Sequence, residues 1–292
     1  MSGGVLDEVD FSTLGPPVKG PSALGTDPRR LLRLTWTLAV TDFRLRFFGS
    51  VLGYLWQFMQ PLLLFGVVYT VFSLVLDLSG TEKYYPVALL SGIVMFGFIS
   101  EATSQSVRAI VSRESLVRKI EFPRLAVPLS TVLTALMNFG LNLVPVFLFL
   151  LLSGGEPRWS WFELPVLVLW LVVWLVGLSM FLSAAFVRYR DIEPIWTVVL
   201  QVLFYATPIF YTLSTVTGKT GRDWIGELIM CNPFAAILQQ FRHAIVDPSH
   251  QSAAAAIGST GRLAFPIAIT LLTFGVGLLV FVRMAPKVAE EL

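Results

Sequence analysis

Long apolar stretches separated by short polar segments set the pattern of this chain. Six such stretches occur, at residues 55–77, 86–107, 125–152, 164–186, 195–213 and 264–283. At 1.5 Å of rise per residue, about 20 helical residues cross the ~30 Å hydrocarbon core of a bilayer. We therefore predict an all-α integral membrane protein with six transmembrane helices within residues 50–286. Proline residues lie inside three of the spans and predict kinks there, at Pro61, Pro145 and Pro208.

Residues 28–48 have amphipathic spacing and are not uniformly apolar. Their apolar side chains form two stripes on a helix, one through Leu32 and Trp36 and one through Leu34 and Leu38, with charges mostly between them. A helix of this kind lies in the membrane interface and does not cross it. We predict an interface helix that contacts lipid on one side and protein on the other. A simple amphipathic anchor is the alternative.

The segment 214–263 is unusually long for a connection between two spans. Within it, residues 222–246 keep helical apolar spacing on both sides of Asn232-Pro233. We predict two short helices, joined at the proline, that dip into the outer leaflet. At the other end of the chain, residues 1–27 are rich in Gly, Pro and Ser, which predicts a flexible cytoplasmic tail.

Composition supports lipid as the solvent of this chain. Charged residues make up 14% of it and its mean hydropathy is +0.74, whereas soluble domains carry roughly a quarter charged residues. The net charge of +2 is too small for a nucleic-acid footprint. A single cysteine excludes an internal disulfide and a Cys-rich metal site.

Positive charge predicts the orientation of the spans. With six spans, both termini share a side with the loops 108–124 and 187–194. Fifteen of the 21 Lys and Arg residues lie on that side and the remaining six on the other. Because cytoplasmic loops carry the excess of Lys and Arg, we predict that both termini are cytoplasmic.

No motif for nucleotide binding or catalysis is found. The run Gly218-Lys219-Thr220 resembles the end of a P-loop, but Leu213 occupies the position where that motif needs a glycine. The two histidines have no partners at metal-ligand spacing. We therefore predict no catalytic residue, metal or cofactor in this chain. A membrane enzyme would need a paired acid or a His–carboxylate site, and a secondary transporter would work without a partner.

Polar residues inside the second and third spans predict contacts between helices. Glu101 lies on the same helical face as Arg108, which predicts an internal ion pair, with a proton-coupling role as the alternative. Asn138 and Asn142, one turn apart, predict hydrogen bonds to a neighbouring helix.

The cytoplasmic stretch "RESLVRKIEFP", residues 113–123, interrupts the apolar pattern. On a helix, Leu116, Val117 and Ile120 cluster on one side and charged residues surround them, until Pro123 ends the helix. A small apolar patch within mixed charges suits a groove on another protein, in which the charges fix the register. A solvated loop helix is the alternative.

An ordered set of local patterns resembles one family. The patterns are "LGYLWQFMQPLL" (52–63), "LLSGIVMFGFISEA" (89–102), "KIEFPR" (119–124), "VPLSTVLTALMNF" (127–139), "VRYRDIEPIW" (187–196), "FYATPIFY" (204–211) and "CNPFAAILQQFRHAI" (231–245). Together they resemble type-2 ABC export permeases of the branch that secretes O-antigens, teichoic acids or lipid-linked galactan. Each pattern alone is weak, and the specificity comes from their order.

The resemblance implies an architecture and partners. It implies a homodimer in the bacterial inner membrane, with two copies of a separate nucleotide-binding ATPase subunit that bind ATP and Mg²⁺. It implies that 28–48 is an interface helix, that 222–246 forms outer gate helices, and that 113–123 is a coupling helix against the ATPase. The coupling residues would be Arg113, Glu114, Leu116, Val117, Arg118, Lys119, Ile120, Glu121, Phe122 and Pro123.

The resemblance also implies a pore between the two copies, lined mainly by the first and fifth spans. Aromatic rings and amides suit a sugar chain, because rings stack on sugars and amides bond to hydroxyls. The candidates are Trp56, Gln57, Phe58, Gln60, Tyr69, Gln201, Phe204, Tyr205 and Phe210. Packing or contact with lipid is the alternative for these side chains.

A lipid-linked substrate would also bring a pyrophosphate to the cytoplasmic face. Arg44 and Arg46 lie at the predicted headgroup level and would bind that diphosphate or an anionic lipid. The sequence thus favours export of a lipid-linked polysaccharide, with galactan or an O-antigen-like glycan as the best guess. An efflux permease for a drug or small lipid is the nearest alternative, and a motor-independent secondary transporter is a more distant one.

Overall fold

The computed structural model describes residues 27–47, 51–75, 84–117, 122–213 and 223–284, and this part of the chain is helical with no strand. The longer helices are α1 (Pro28–Phe47), α2 (Val51–Tyr69), α3 (Tyr85–Arg108), α5 (Ala126–Leu152), α6 (Leu164–Arg188), α7 (Ile192–Ala206) and α11 (Ala264–Met284). The short ones are α4 (Glu114–Val117), α8 (Asp223–Met230), α9 (Pro233–Phe241) and α10 (Ala253–Ala256). The predicted tail, apart from Asp27, lies outside the described residues.

Five helices of the described part are long and apolar enough to cross a membrane, namely those containing α2, α3, α5, α6 and α11. The all-α membrane fold is therefore confirmed. The predicted fifth span, 195–213, differs, because α7 has 15 residues and ends at Ala206. At 1.5 Å per residue it is about 22 Å long, which is shorter than the hydrocarbon core.

Pro208 explains why α7 ends early. The ring of a proline clashes with a helical conformation at the preceding residue, and Thr207 is extended, with φ −90° and ψ 141°. Pro208 therefore terminates the helix, whereas the sequence predicted a kink. Pro61 and Pro145, by contrast, lie inside the continuous helices α2 and α5.

Helix α3 is the centre of the bundle. It packs against α2, α5, α6 and α7, and most of its apolar stretch is buried. Its hydroxyl groups bond back to its own carbonyl oxygens, as in Thr103 Oγ1 to Ile99 O at 2.7 Å and Ser106 Oγ to Ala102 O at 2.7 Å. These bonds satisfy the hydroxyl groups in a region where water is not available as a hydrogen-bond partner.

The closest helix pair is α6 with α11. A Cβ atom at Gly277 would lie 2.1 Å from the backbone oxygen of Gly177, and one at Gly177 would lie 2.6 Å from the Cα atom of Phe274. Two glycines thus allow the helices to approach backbone to backbone, which is how small residues drive packing in membranes.

Helix α1 packs mainly on α5. Thr35 and Ala39 are buried along this contact, while Leu32 and Trp36 on the same helix are exposed. The two buried residues belong to neither of the predicted apolar stripes.

Candidate functional site

The segment predicted to couple to another protein is described only in part. Residues 118–121, which include the predicted Arg118, Lys119, Ile120 and Glu121, lie outside the described residues. Before them, a 3₁₀ turn over Val111–Arg113 leads into α4, in which Ser115 is exposed. After them, Phe122 is half-buried and Pro123 is buried.

The apolar side of this segment faces the subunit itself. Val117 is fully buried in a cluster with Ile110, Leu125 and Val187, and Phe122 packs against that cluster. The expectation that Val117 presents an apolar patch to a partner is therefore wrong, because its side chain anchors the segment to the ends of the neighbouring helices. Leu116, Glu114 and Arg113 are half-buried.

An ion pair joins this segment to the interface helix. The Nη2 group of Arg113 pairs with Asp42 Oδ2 on α1, and its Nη1 group donates to Ser130 Oγ on α5 at 3.1 Å. Arg113 thus holds together α1, the start of the coupling segment and α5. The sequence predicted Arg113 as a coupling residue but gave no sign of its partner, because 71 residues separate Arg113 from Asp42.

A second ion pair ties the last turn of α1 to the bundle. Arg46 pairs with Glu101 on α3, which also accepts hydrogen bonds from Gln105 and from Asn138 on α5. The predicted pair of Glu101 with Arg108 is wrong, because Arg108 points to the start of α7, where its Nε donates to Glu193 Oε2 at 2.7 Å. The predicted interhelical bond of Asn138 is confirmed.

The Arg113–Asp42 pair and Arg46 line a polar cavity at the end of the subunit that the sequence predicts to be cytoplasmic. Its volume is about 480 Å³, and its lining includes Asp42, Arg46, Gln105, Arg113, Thr131 and Thr134. Arg46 borders the cavity, whereas Arg44 is exposed on α1 and is not part of the lining. The structure therefore separates the two arginines that the sequence had grouped for an anion and brings Arg46 near Arg113.

The predicted channel residues divide into exposed and packed groups. Trp56 and Gln60 on α2 and Gln201 and Tyr205 on α7 are exposed, with Trp56 at 62% and Tyr205 at 66%. Within the described part of the chain, the amides of Gln60 and Gln201 have no hydrogen-bond partner. An unsatisfied amide facing lipid costs on the order of 1 to 3 kcal/mol.

The remaining predicted channel residues pack within the subunit to different degrees. Gln57 and Phe58 are half-buried. Tyr69 stacks on Phe65 with ring centroids 5.5 Å apart, and Phe204 packs on Phe96 at 4.9 Å. Phe210 is 7% exposed, and its ring packs inside the subunit against Phe72 at 4.7 Å. It has no surface to offer a channel in this arrangement.

A buried non-helical stretch follows α7 and is held by side chains from elsewhere. The backbone oxygen of Ile209 accepts a bond from Arg242 Nη2 at 2.6 Å, and that of Phe210 accepts one from Tyr85 Oη at 2.9 Å. Arg242 is 4% exposed. The sequence counted Arg242 among the charges of an outer loop and missed this role, which only the contact across 33 residues reveals.

The two helices predicted in 222–246 are present as α8 and α9. Asn232 caps α9, because its Oδ1 accepts from the backbone N–H of Phe234 at 3.0 Å. Beyond them, burial and, to a smaller extent, the positive charge of Arg242 lower the pKa of His250 to about 4, while Asp247 opposes the shift. His250 is therefore neutral at physiological pH. Within the described residues, no group of His, Cys, Asp and Glu could hold a metal ion.

Comparison with known proteins gives one family match and several relatives. A family profile described as "ABC-2 type transporter" matches residues 33–246. The chain is 30% identical over 227 residues to the O-antigen export system permease protein RfbA of Myxococcus xanthus, covering 76% of this chain and 85% of that protein. It is 27% identical over 207 residues to RfbA of Klebsiella pneumoniae, covering 70% and 77%. It is 22% identical over 218 residues to the polysialic acid transport protein KpsM of Escherichia coli, covering 72% and 80%.

Proposed function

Because this chain belongs to the ABC-2 type transporter family, we propose that it is the membrane-spanning permease subunit of a polysaccharide ABC exporter. The relatives reported above are named as permeases or transport proteins for O-antigen or polysialic acid. The substrate we propose is a lipid-linked glycan, with galactan or an O-antigen-like chain as the specific candidates. The glycan moves from the cytoplasm across the inner membrane.

The energy comes from a separate partner. We propose two copies of a nucleotide-binding ATPase subunit, which bind ATP and Mg²⁺ and contact residues 113–123. The absence of a Walker A motif from the sequence supports this division of labour. Both termini and the coupling segment then lie on the cytoplasmic side, which the distribution of Lys and Arg supports.

The observation that carries the proposed channel is the exposure of α2 and α7. No residue across the apolar stretch of α2 is buried, and α7 buries only Leu200. Both helices pack on α3 and present amides and aromatic rings outward. A second copy of the chain, facing the first across these helices, would enclose a passage lined by Trp56, Gln57, Gln60, Gln201 and Tyr205.

In this passage the rings offer flat apolar surfaces and the amides offer hydrogen bonds to sugar hydroxyls. ATP binding closes the two ATPase subunits and pushes on the coupling segments. The movement passes to the membrane helices and separates the two α2–α7 walls. Residues of α8 and α9 form the outer gate in this scheme.

Reconstitution tests the function. Proteoliposomes that contain the permease and its ATPase should transfer a lipid-linked glycan in an ATP-dependent manner. Replacing Gln60→Leu and Gln201→Leu together should reduce transfer at least tenfold without loss of insertion. The matched control, Leu271→Ala with Leu272→Ala on the exposed face of α11, should transfer normally. Glycan transfer without any ATPase would refute the exporter, and transport restricted to drugs or small lipids would favour the efflux alternative.

Cross-linking tests the dimer separately. In a Cys231→Ser background, a cysteine at Val198 on the exposed face of α7 should form an intermolecular disulfide in native membranes. A cysteine at Leu272 serves as the control and should remain monomeric. Equal cross-linking at both positions would contradict the proposed α2–α7 interface.

A further inference from the structure

The cytoplasmic cavity unites two guanidinium groups from different parts of the chain. Arg46 comes from the last turn of α1, and Arg113 comes from the turn that leads into α4. Both line the same space of about 480 Å³. Gln105 on α3 adds an amide to the lining. Two converging guanidinium groups and an amide are donors of the kind that bind a phosphate.

Each arginine holds a carboxylate and keeps further donors. Arg46 uses only its Nη1 group, toward Glu101, among the described residues. Arg113 uses Nη2 for Asp42 and Nη1 for Ser130. A guanidinium carries five N–H groups, and two of them in parallel match two oxygens of one phosphate. The cavity can therefore offer an anion several charge-assisted bonds.

We infer that this cavity is a binding site for a phosphate-bearing anion, which replaces Asp42 as the partner of Arg113 and Glu101 as the partner of Arg46. Both carboxylates stay in the chain after the exchange, so the anion adds its negative charge to a cluster whose two arginines they neutralise, and they compete with it for the guanidinium donors. The half-exposed Asp42 and the 15% exposed side chain of Glu101 differ in their access to water. Asp42 is therefore the carboxylate that leaves more readily.

The exchange also connects the site to the coupling segment. Arg113 starts the segment that we propose to contact the ATPase, and Asp42 belongs to the interface helix. An anion that draws Arg113 away from Asp42 loosens the tie between these two elements. By thermodynamic linkage, the partner that moves the segment then changes the affinity for the anion by the same factor. This part of the inference rests on the proposed function, whereas the anion site itself does not.

Binding of inorganic pyrophosphate tests the site. The permease–ATPase complex in phosphatidylcholine nanodiscs should bind radiolabelled pyrophosphate saturably, without nucleotide. Arg46→Gln together with Arg113→Gln should weaken binding at least tenfold. Arg108→Gln, which breaks the pair with Glu193 outside the cavity, is the matched control and should bind like the wild type. Arg113→Lys keeps the positive charge and the local fold, and it should retain most of the affinity.

Removal of the competing carboxylate gives the sharpest readout. Asp42→Asn should tighten pyrophosphate binding about tenfold, because the anion no longer has to displace it. A purely structural role of Asp42 predicts the opposite sign. Absence of saturable binding, equal binding in the double arginine variant, or weaker binding in Asp42→Asn would each overturn the inference. Loss of binding in Arg44→Gln would instead support the anion site at Arg44 and Arg46 that the sequence predicted.

The lipid composition of the nanodiscs distinguishes two sources of the bound phosphate group. If the site holds a phospholipid headgroup, nanodiscs that contain phosphatidylglycerol should compete with pyrophosphate and raise its apparent Kd. If the site is selective for a diphosphate, the apparent Kd should be the same in both lipids. Glycan transfer is measured in a separate assay, so a failure of this site leaves the exporter standing, and a failure of the exporter leaves the binding result intact.

Discussion

Two pairs of membrane helices in this subunit are built in opposite ways. Helices α6 and α11 approach backbone to backbone at Gly177 and Gly277, and the exposed side of α11 carries aliphatic side chains such as Leu271, Leu272 and Leu279. Helices α2 and α7 have almost no fully buried residue, and their exposed sides carry the amides of Gln60 and Gln201 and the rings of Trp56 and Tyr205 among aliphatic side chains. The first pair is packed backbone to backbone within the subunit. The second pair carries the exposed polar side chains on which the proposed dimer rests.

The difference teaches where to look for function in a single membrane subunit. In a membrane protein, the exposure of an apolar side chain does not indicate a binding surface, because lipid solvates apolar groups as well as the protein interior does. The informative signal is an exposed polar group that cannot bond to its own helix. Thr273 on α11 satisfies its hydroxyl by donating to Ile269 O at 2.7 Å. The longer amides of Gln60 and Gln201 have no such bond among the described residues.

The largest expected effect comes from a substitution that disrupts the contact between α6 and α11. Gly277→Leu places a side chain against the backbone of α6, where no rotamer can relieve the clash. We expect a loss of more than about 4 kcal/mol and little folded protein in the membrane, since overpacking against a backbone cannot relax. Gly275→Leu is the control, because a Cβ there meets open space. The yield of monodisperse protein in detergent is measured for both variants. Equal yields would contradict the close contact between α6 and α11.

The second largest effect is expected at Arg242, which holds the stretch that follows α7. Helix α7 itself has only one buried residue. Arg242→Leu leaves the buried oxygen of Ile209 without its donor, and we expect a loss of about 2 to 4 kcal/mol. Arg262→Leu, which removes a partly exposed ion pair with Glu227, should cost less than about 1 kcal/mol. Thermal unfolding in nanodiscs compares them. Similar shifts in Tm for the two variants would mean that the Arg242 contact is unimportant.

A reciprocal exchange tests the two exposed surfaces directly. Leu272→Gln puts an amide on the face of α11 that is 66% exposed, and it should destabilise the subunit by about 1 to 3 kcal/mol. Gln60→Leu on α2 should leave the stability of the dissociated subunit unchanged or slightly raised. Tm in nanodiscs is the measurement. If Leu272→Gln has no effect, the assignment of α11 to lipid fails.

The smallest expected effect depends on pH. Because the pKa of His250 is lowered from 6.5 to about 4, the unfolded chain binds more protons than the folded one between these values. Stability from this group is complete above about pH 6.5 and is lost as the pH falls toward 4. We expect about 1 to 2 kcal/mol, allowing for the partial exposure of the ring. His250→Gln should remove this part of the slope, and an unchanged slope would count against it.

Much of the fold could be predicted from the sequence, because long apolar runs have one common solution in lipid. The spans that contain α2, α3, α5, α6 and α11 follow from hydropathy and length. The break in 222–246 follows from Asn232-Pro233. The early end of α7 was missed, although its signal was present. Pro208 restricts Thr207 whether or not the apolar run continues, and hydropathy was given more weight than backbone geometry.

The site was less predictable, because its contacts join distant parts of the chain. Helical spacing could suggest that Glu101 and Arg108 share a face, but it could not show that Arg46 lies closer to Glu101. Similarly, Val117 was predicted to face a partner, since a periodic pattern defines an apolar side without saying what covers it. Amphipathic spacing also did not identify the buried residues of α1, since Thr35 and Ala39 belong to neither predicted stripe.

The shortness of α7 has a consequence for the surrounding bilayer. A helix of about 22 Å cannot match a hydrocarbon thickness of ~30 Å, and such hydrophobic mismatch is relieved by local thinning of the lipid or by admission of water at one end. After Ala206 the chain continues as a buried non-helical stretch, to which Arg242 and Tyr85 donate side-chain hydrogen bonds. We therefore expect the membrane to be thinnest beside α7, which lines the passage in the proposed dimer. Lipid chain length should then tune the rate of transport through this subunit.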